Sequence, residues 1–391
     1  MNRRTFFSTA AATGLLARQR VMGANERVRV GLIGSGGRGT YVAGIAAKIR
    51  DCEVVATADA APGRREATAV KMGPQAKPVT DYRQILDNNE IDAVIIGSPD
   101  HWHARMVLDA VAAGKDVYCE KPVTHDVSEG DKLIAGVEQS KRVVATGTQQ
   151  RSWDHFILAK QLIDSGQIGQ VIMAQTYWYQ NYIRLKWREE QLDPTTVDWK
   201  AWLGSAPDQP FSLVRFRHWR FFWDFGGGAF TDLMTHWIDV VQWFMNSPTL
   251  KTVQASGTTH VLTELQCPDT VNAAILYPEN YTATYSGTMT SSIEDGGIVF
   301  RGTNGAMRLT RDGFTVYREA TPKKNDMFLP DPEITMKSSG DGTISNVENW
   351  LSCIRSRKLP NAHIRAGVQA ARTSHLANQA MRQGKIISPG A

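Results

Sequence analysis

The fold of this chain is decided by residues 28–39, which read VRVGLIGSGGRG. The first half of this stretch is a short apolar run of the kind that forms a buried strand, and the second half is a glycine-rich loop. A helix-like run over 40–49 follows, and a second strand over 53–58 ends at Asp59. Strand, glycine loop, helix, strand and acid in this order predict a βαβ unit with the fingerprint of a dinucleotide-binding site.

The loop and the residues after the second strand supply the candidate cofactor contacts. Glycines let the backbone approach a pyrophosphate, whose charge the N-terminus of the next helix faces. The candidates in the loop are Gly34, Gly36, Gly37, Arg38 and Gly39. Asp59 would bind the adenosine ribose hydroxyls, which favours NAD. Arg64 could meet the 2′-phosphate of NADP instead, so we expect NAD or NADP with a slight preference for NAD.

Helix and strand patterns alternate up to Gln150. Strands and helices are indicated in turn over 93–97, 105–113, 116–119, 127–140 and 142–146. Repeated βα units predict a doubly wound parallel sheet, a Rossmann domain over 26–150, with its ligand at the carboxyl ends of the strands. We expect 98–103 to be a loop at that edge, where Pro99 and His103 are further candidates for cofactor contact.

Residues 113–122, AGKDVYCEKP, place a lysine at the end of one of these strands. Lys121 stands between Glu120 and Pro122, and a proline restricts the residue before it, so the lysine is held stiffly. Beside a nicotinamide, such a lysine can bind a substrate hydroxyl and exchange a proton with it. The tripeptide therefore indicates redox chemistry on an alcohol, with Glu120 and Lys121 also close to the cofactor.

After Gln150 the pattern changes to β-rich segments separated by turn residues. These segments lie at 171–179, 252–259, 272–277, 282–288, 298–302 and 307–317. They predict a second domain over 151–391, of α+β class, with an open and mostly antiparallel sheet. Amphipathic helices over 344–355 and 367–383 are expected to pack back on the first domain.

The stretch 224–239, DFGGGAFTDLMTHWID, is the densest group of polar candidates in the second half. Asp232 and His236 are four residues apart and share a helix face, where a carboxylate can orient an imidazole and stabilise its charged form. Alcohol oxidation removes a proton as hydride leaves, so Lys121, His236 and Asp232 are candidate catalytic residues. The candidates for substrate binding are Gln149, Arg151, Trp153, Asp232 and His236.

Composition excludes several other classes of protein. The chain has 391 residues, 42% of them hydrophobic and 21% charged, as is usual for a soluble globular protein. Its formal net charge of +5 comes from scattered basic residues, without the clustered footprint of a nucleic-acid-binding protein. Four cysteines without a C-x-x-C pair indicate neither a zinc site nor a disulfide framework. We therefore expect no metal and no nucleic-acid partner.

Residues 1–25 predict a targeting segment outside the folded domains. Arg3 and Arg4 precede a weakly apolar stretch from Ser8 to Ala17, a pattern typical of a twin-arginine export signal. The stretch is too short to span a bilayer, so no membrane anchor is expected. The prediction is export by the twin-arginine translocase to the periplasm or the outside, with the cofactor tightly bound because no nicotinamide pool exists there. The alternative is a disordered tail on a cytoplasmic protein.

Taken together, these motifs resemble those of the Gfo/Idh/MocA oxidoreductase family, named after glucose–fructose oxidoreductase and inositol dehydrogenase. The resemblance covers nearly the whole chain after residue 25 and includes the glycine loop, Glu120-Lys121-Pro122 and the stretch around Asp232 and His236. It implies acid/base roles for Lys121 and His236, a binding or orienting role for Asp232, and substrates among cyclic polyols, sugars and glycosides. It also implies a homo-oligomer that assembles through the open sheet.

Three functions compete at this point. The favoured one is an NAD(P)-dependent oxidoreductase that transfers hydride from a ring hydroxyl of a sugar, polyol or glycoside to nicotinamide. A second keeps the cofactor but uses transient oxidation to permit elimination or glycoside cleavage without net redox. A third is a non-catalytic protein that binds a sugar or nucleotide on the same fold, against which the candidates Lys121, Asp232 and His236 argue.

Overall fold

The computed structural model describes residues 27–182, 192–320 and 330–389. The export segment predicted over 1–25 lies outside these ranges and stays a prediction from the sequence. No helix in the described ranges combines the length and apolar character that crossing a bilayer demands.

Six parallel strands form the first sheet. They are β1 (Val28–Ile33), β2 (Cys52–Ala58), β3 (Lys77–Val79), β4 (Ala93–Ile96), β5 (Asp116–Cys119) and β6 (Val144–Thr146). Their order is β3-β2-β1-β4-β5-β6, so the chain reverses its direction of travel across the sheet beside β1. Alternate residues of β4 enter two different cores, Ala93 and Ile95 on one face and Val94 and Ile96 on the other. Both faces are therefore covered, as a parallel sheet requires, and the Rossmann part of the predicted fold is confirmed.

Eleven α-helices lie within the described residues. They are α1 (Gly37–Ala46), α2 (Pro62–Met72), α3 (Arg83–Leu86), α4 (Asp100–Ala112), α5 (Glu129–Ser140), α6 (Asp154–Asp164), α7 (Trp199–Leu203), α8 (Leu213–Arg217), α9 (Thr235–Phe244), α10 (Gly342–Ser356) and α11 (Ile364–Gln383). A π-helical turn, Phe230–Met234, runs directly into α9.

The expectation of a loop over 98–103 is wrong, because α4 begins at Asp100. Pro99 is the N-cap in an extended conformation, and Asp100 follows in the first turn, where a carboxylate is favourable to the helix dipole. His101 and His103 therefore stand on a rigid helix rather than on a loop.

The second sheet has eight strands. They are β7 (Val171–Tyr179), β8 (Thr252–Thr258), β9 (Thr270–Leu276), β10 (Thr282–Thr288), β11 (Gly296–Gly302), β12 (Gly305–Thr310), β13 (Gly313–Arg318) and β14 (Ile334–Lys337). All neighbours pair antiparallel except β7 and β10, which confirms the mostly antiparallel second sheet. The segment predicted as one strand over 307–317 is a hairpin that turns at Arg311.

The two C-terminal helices connect the cores of the two sheets. Trp350 of α10 is completely buried among the residues of the first sheet, with its ring 5.7 Å from that of Tyr118. On α11, Val368 packs in the core of the first sheet, and Ala377 packs in the core of the second. Helices α10 and α11 thus pack the first sheet against the second.

Replacing Trp350 by alanine is expected to lower the free energy of unfolding by about 3–5 kcal/mol, because the change opens a large cavity in a close-packed core. Chemical denaturation followed by circular dichroism measures the loss. The matched control is Ile344→Ala on the same helix, where the side chain is 43% exposed and a change within about 0.5 kcal/mol is expected. Equal losses in the two variants would contradict this account of the core.

Candidate active site

Two adjoining clefts open at the carboxyl ends of the first sheet. The larger, about 690 Å³, is the glycine cleft; its walls include Gly34, Gly36, Gly37, Asp59, Arg64 and Pro99. The smaller, about 280 Å³, is the lysine cleft; its walls include Lys121, Gln149, Asp232 and His236. Arg38, Ser98, Trp219 and Arg220 line both clefts. A long ligand in the glycine cleft can therefore present one end to the lysine cleft.

The glycine loop has the shape of a phosphate cradle. Gly34 has a φ of +90°, and a Cβ there would lie 2.5 Å from the backbone nitrogen of Ser98, so only glycine fits. Gly39 does not line the cleft but packs behind the loop, where a Cβ would meet the carbonyl oxygen of Gly34 at 2.1 Å. Gly36 and Gly37 have open space on the side where a Cβ would stand, and no side chain caps the N-terminus of α1. The exposed backbone N–H groups fit the pyrophosphate of a dinucleotide.

Asp59 and Arg64 both lie on the wall of the glycine cleft, beyond the end of β2. The Asp59 carboxylate accepts hydrogen bonds from the backbone N–H groups of Ser35 and Ala61, each at 2.8 Å. The Arg64 guanidinium lies over the ring of Phe216, 4.4 Å from its centroid. The acid is thus held against the glycine loop, and the arginine stands in the same cleft.

His103 braces the cleft wall instead of presenting a free nitrogen. Its Nδ1 lies 2.7 Å from the carbonyl oxygen of Pro122, and its Nε2 lies 2.8 Å from that of Ser98. Burial lowers the pKa of His103 and outweighs the two carbonyls, so the neutral ring donates a hydrogen bond to only one of them. Because both ring nitrogens face protein carbonyls, His103 ties the end of β4 to the residues after β5, and the prediction of a direct cofactor contact is not supported by this geometry.

Arg38 links the glycine loop to the segment that follows β5. Its Nε donates to Glu120 Oε1 at 2.8 Å, and Glu120 is only 4% exposed. The next residue, Lys121, precedes Pro122 through a cis peptide bond. The Lys121 Nζ donates to Asp232 Oδ1 at 2.7 Å and to the Asp232 carbonyl oxygen at 2.6 Å. The ammonium group is therefore fixed between the two halves of the chain.

Asp232 is held as a carboxylate by its neighbours. In addition to Lys121, the Nε of Arg220 lies 3.2 Å from Oδ1, and the hydroxyl of Tyr182 donates to Oδ2 at 3.3 Å. Burial alone would raise the pKa of Asp232, but the Lys121 and Arg220 cations outweigh it and hold the pKa at about 2. Asp232 is therefore ionised at neutral pH.

The predicted pairing of Asp232 with His236 is wrong. The carboxylate turns towards two cations, and the His236 Nδ1 instead lies 3.3 Å from Gln150 Oε1. Burial, with the charges of Lys121 and other nearby cations, lowers the pKa of His236 well below its usual value. The Nε2 of His236 makes no hydrogen bond to any described residue. A neutral imidazole thus stands in the wall of the lysine cleft.

Only some of the candidates for substrate binding line the lysine cleft. Gln149 lines the lysine cleft, but Arg151 and Trp153 do not. The Arg151 Nε lies 2.9 Å from both carboxylate oxygens of Asp239, which is fully buried, so the pair neutralises itself inside the second domain. Trp153 is 8% exposed and packs in the core of the second sheet. The structure corrects both predictions, because burial removes these side chains from the cleft.

Other cleft residues were missed by the reasoning from sequence. They are Asp100, Trp178, Tyr182, Arg217, Arg220 and Arg311. The run over 215–223, rich in arginine and aromatic residues, is typical of a pocket rim or of a packed segment, and it is both: Trp219 and Arg220 line both clefts, and the buried Phe221 borders the lysine cleft. Arg311 and Trp178 belong to separate strands of the second sheet and carry no local signal. No cluster of three or more metal-ligating side chains occurs among the described residues.

The family comparisons cover nearly the whole folded chain. The model GFO_IDH_MocA, "Oxidoreductase family, NAD-binding Rossmann fold", matches residues 28–148. The model of the "Oxidoreductase family, C-terminal alpha/beta domain" matches residues 160–388.

Curated relatives match over the first part of the chain. Inositol 2-dehydrogenase of Salmonella typhimurium is 31% identical over 153 residues, which are 39% of this chain and 44% of that protein. Inositol 2-dehydrogenase of Rhizobium meliloti is 34% identical over 147 residues, 38% of this chain and 44% of that protein. The chain thus spans less than half the length of the curated relatives it matches.

Solved structures match the fold over most of the chain. Levoglucosan dehydrogenase, in complex with NADH and levoglucosan, aligns with a TM-score of 0.73 at 20% identity, covering 94% of this chain and 100% of that one. Apo scyllo-inositol dehydrogenase from Lactobacillus casei aligns with a TM-score of 0.70 at 20% identity, covering 94% and 99%. With both family models matched, the chain belongs to the Gfo/Idh/MocA family of NAD-binding oxidoreductases.

Proposed function

We propose that the protein is an NAD(P)-dependent oxidoreductase that acts on a ring hydroxyl of a sugar, polyol or glycoside. The observation that carries this proposal is the position of Lys121. Its ammonium group lies in the lysine cleft, held by Asp232, while the residue before it is tied through Arg38 to the glycine loop. The names of the curated relatives, inositol 2-dehydrogenases, support a cyclic polyol or a related ring as the substrate.

Three residues of the lysine cleft would have different roles towards the substrate hydroxyl. The neutral His236 can accept the hydroxyl proton, since its pKa is lowered and its Nε2 has no protein partner in the described residues. The Lys121 ammonium can donate a hydrogen bond to the oxygen as it becomes a carbonyl. Asp232 cannot be the base because its pKa is about 2, and it holds Lys121 in place instead. A bound nicotinamide would supply the acceptor for hydride from the carbinol carbon.

Location and assembly are proposed from the sequence and the family resemblance. The twin-arginine segment supports export, with a tightly bound cofactor that a second substrate regenerates. One face of the second sheet is exposed. In β9, for example, every second residue, Asn272, Ala274 and Leu276, points away from the core. That face is our proposed surface for self-association.

Replacing Lys121 by alanine is expected to lower turnover by about 10²- to 10⁴-fold, because the positioned donor is lost while the glycine cleft is untouched. Reduced nicotinamide is measured by absorbance over a panel of sugars and polyols, and bound nucleotide is measured after denaturation by mass spectrometry. Lys132→Ala, an exposed site on α5, is the matched control and should turn over normally. Unchanged turnover in Lys121→Ala would refute the proposal, and aglycone release from nitrophenyl glycosides without an electron acceptor would replace it with redox-neutral cleavage.

The pH profile is expected to report the lowered pKa of His236. The imidazole must be neutral to accept a proton, and its charged form appears only as pH falls through a pKa below 6.5. The acid limb of kcat/KM therefore lies below pH 6.5, and His236→Gln lowers kcat and abolishes that limb. An acid limb that persists unchanged in the variant would assign the titration to another group.

Replacing Asp59 by serine is expected to shift the bound nucleotide from NAD towards NADP. The carboxylate binds ribose hydroxyls and repels a 2′-phosphate, which the nearby Arg64 would then attract. The measurement is the ratio of the two nucleotides released from purified protein, with the exposed Asp87→Ser as control. A preference for NADP in the unaltered protein would contradict the assignment of Asp59 as a selector for NAD.

A further inference from the structure

The lysine cleft holds more positive than negative side chains. Its cations are Arg38, Lys121, Arg217, Arg220 and Arg311, and its carboxylates are Asp100, Glu120 and Asp232. Lys121 and Arg220 share Asp232, and Arg38 pairs with Glu120. Burial raises the pKa of Asp100 well above its usual value, which favours its neutral form. The cleft is therefore electropositive beyond what its own acids compensate.

Arg311 is a cation of this cleft that contacts an aromatic ring, Trp178, rather than an acid of the described residues. It makes no hydrogen bond and no ion pair with any residue in the described ranges, and its Nε is buried without a partner. Burial and the charge of Arg38 lower its pKa to about 10, so it remains charged at neutral pH. The Arg311 side chain is partly exposed to the cleft. Because its buried N–H donor lacks an acceptor, a ligand oxygen is expected to complete it.

Arg311 faces the cleft proposed for the substrate and not the cleft proposed for the cofactor. It stands at the turn between β12 and β13, with its guanidinium 4.5 Å from the centroid of the Trp178 ring. That ring lies 5.4 Å from the ring of His236. Arg311 lines the lysine cleft but not the glycine cleft, which contains the phosphate cradle. An anion that meets Arg311 therefore belongs to the molecule whose hydroxyl meets His236.

We propose, building on the oxidoreductase function above, that the ring substrate carries a carboxylate, as in a uronic acid, and that Arg311 binds it. A guanidinium offers two parallel N–H donors that match the two oxygens of a carboxylate. A carboxylate carries one negative charge, which the charge of Arg311 balances, whereas a phosphate monoester carries close to two. Arg38 and Arg220 already pair with acids of the cleft. The carboxylate takes no part in the bond changes: it fixes the ring so that one hydroxyl faces Lys121 and His236.

The test compares sugars that differ only in the anionic group. Glucose is paired with glucuronate and galactose with galacturonate, and glucose 6-phosphate represents a phosphate. The cofactor-loaded protein is expected to show a higher kcat/KM for the acids than for the parent sugars. Arg311→Gln is expected to lower kcat/KM for the acids by about 10- to 100-fold more than for the neutral sugars, as for the loss of a charged hydrogen bond. Arg308→Gln, exposed on β12 of the same hairpin, is the matched control.

The outcomes separate this inference from the proposed function. Oxidation of neutral sugars without preference for acids, or an equal effect of Arg311→Gln on both, overturns the carboxylate and leaves the oxidoreductase standing. A preference for glucose 6-phosphate also overturns it. If no sugar is oxidised, calorimetric titration with glucuronate and galacturonate tests whether the anion site exists. Glucuronate that binds the unaltered protein and not Arg311→Gln supports the anion site even though the oxidoreductase proposal fails, and no binding of either acid overturns it.

Discussion

The ion pair between Lys121 and Asp232 is the interaction on which the candidate site depends. Its partners are 111 residues apart in the chain, one just beyond β5 of the first sheet and the other in the π-helical turn before α9. Both side chains are nearly buried, so neither charge can be left without the other at low cost. The pair therefore joins the two domains at the point where a hydroxyl, a proton acceptor and a cofactor would meet in the proposed function.

The same few charges set the protonation of two groups in opposite roles. Lys121 and Arg220 hold Asp232 in its charged form, and burial together with Lys121 keeps His236 in its neutral form. In the proposed function, the charged Asp232 anchors Lys121, and the neutral His236 is the base. Assigning these roles from residue type alone would be equally consistent with the reverse, since free aspartate and histidine both act as bases in enzymes.

The features predicted correctly from the sequence are those encoded by neighbours in the chain. The apolar run and glycines of 28–39 define a βαβ unit locally, and Glu120-Lys121-Pro122 marks the end of a strand. The errors concern partners chosen in three dimensions. The sequence predicts that Arg151 donates to the substrate, but its partner is Asp239. It also predicts that Asp232 pairs with His236, four positions away, but its partner is Lys121 in the other domain. Arg311 could not be predicted as a cleft residue, because the sequence of the turn between β12 and β13 does not indicate which part of the first domain it faces.

Arg38 connects the two clefts of the candidate site. It belongs to the glycine loop, it lines both clefts, and its Nε is bound to Glu120, the residue before Lys121. A ligand phosphate that drew Arg38 away from Glu120 would leave a buried carboxylate unpaired next to the lysine, which is unfavourable in a low-dielectric site. In this structure the glycine loop stands in the position in which Glu120 is paired with Arg38 and Lys121 is held by Asp232.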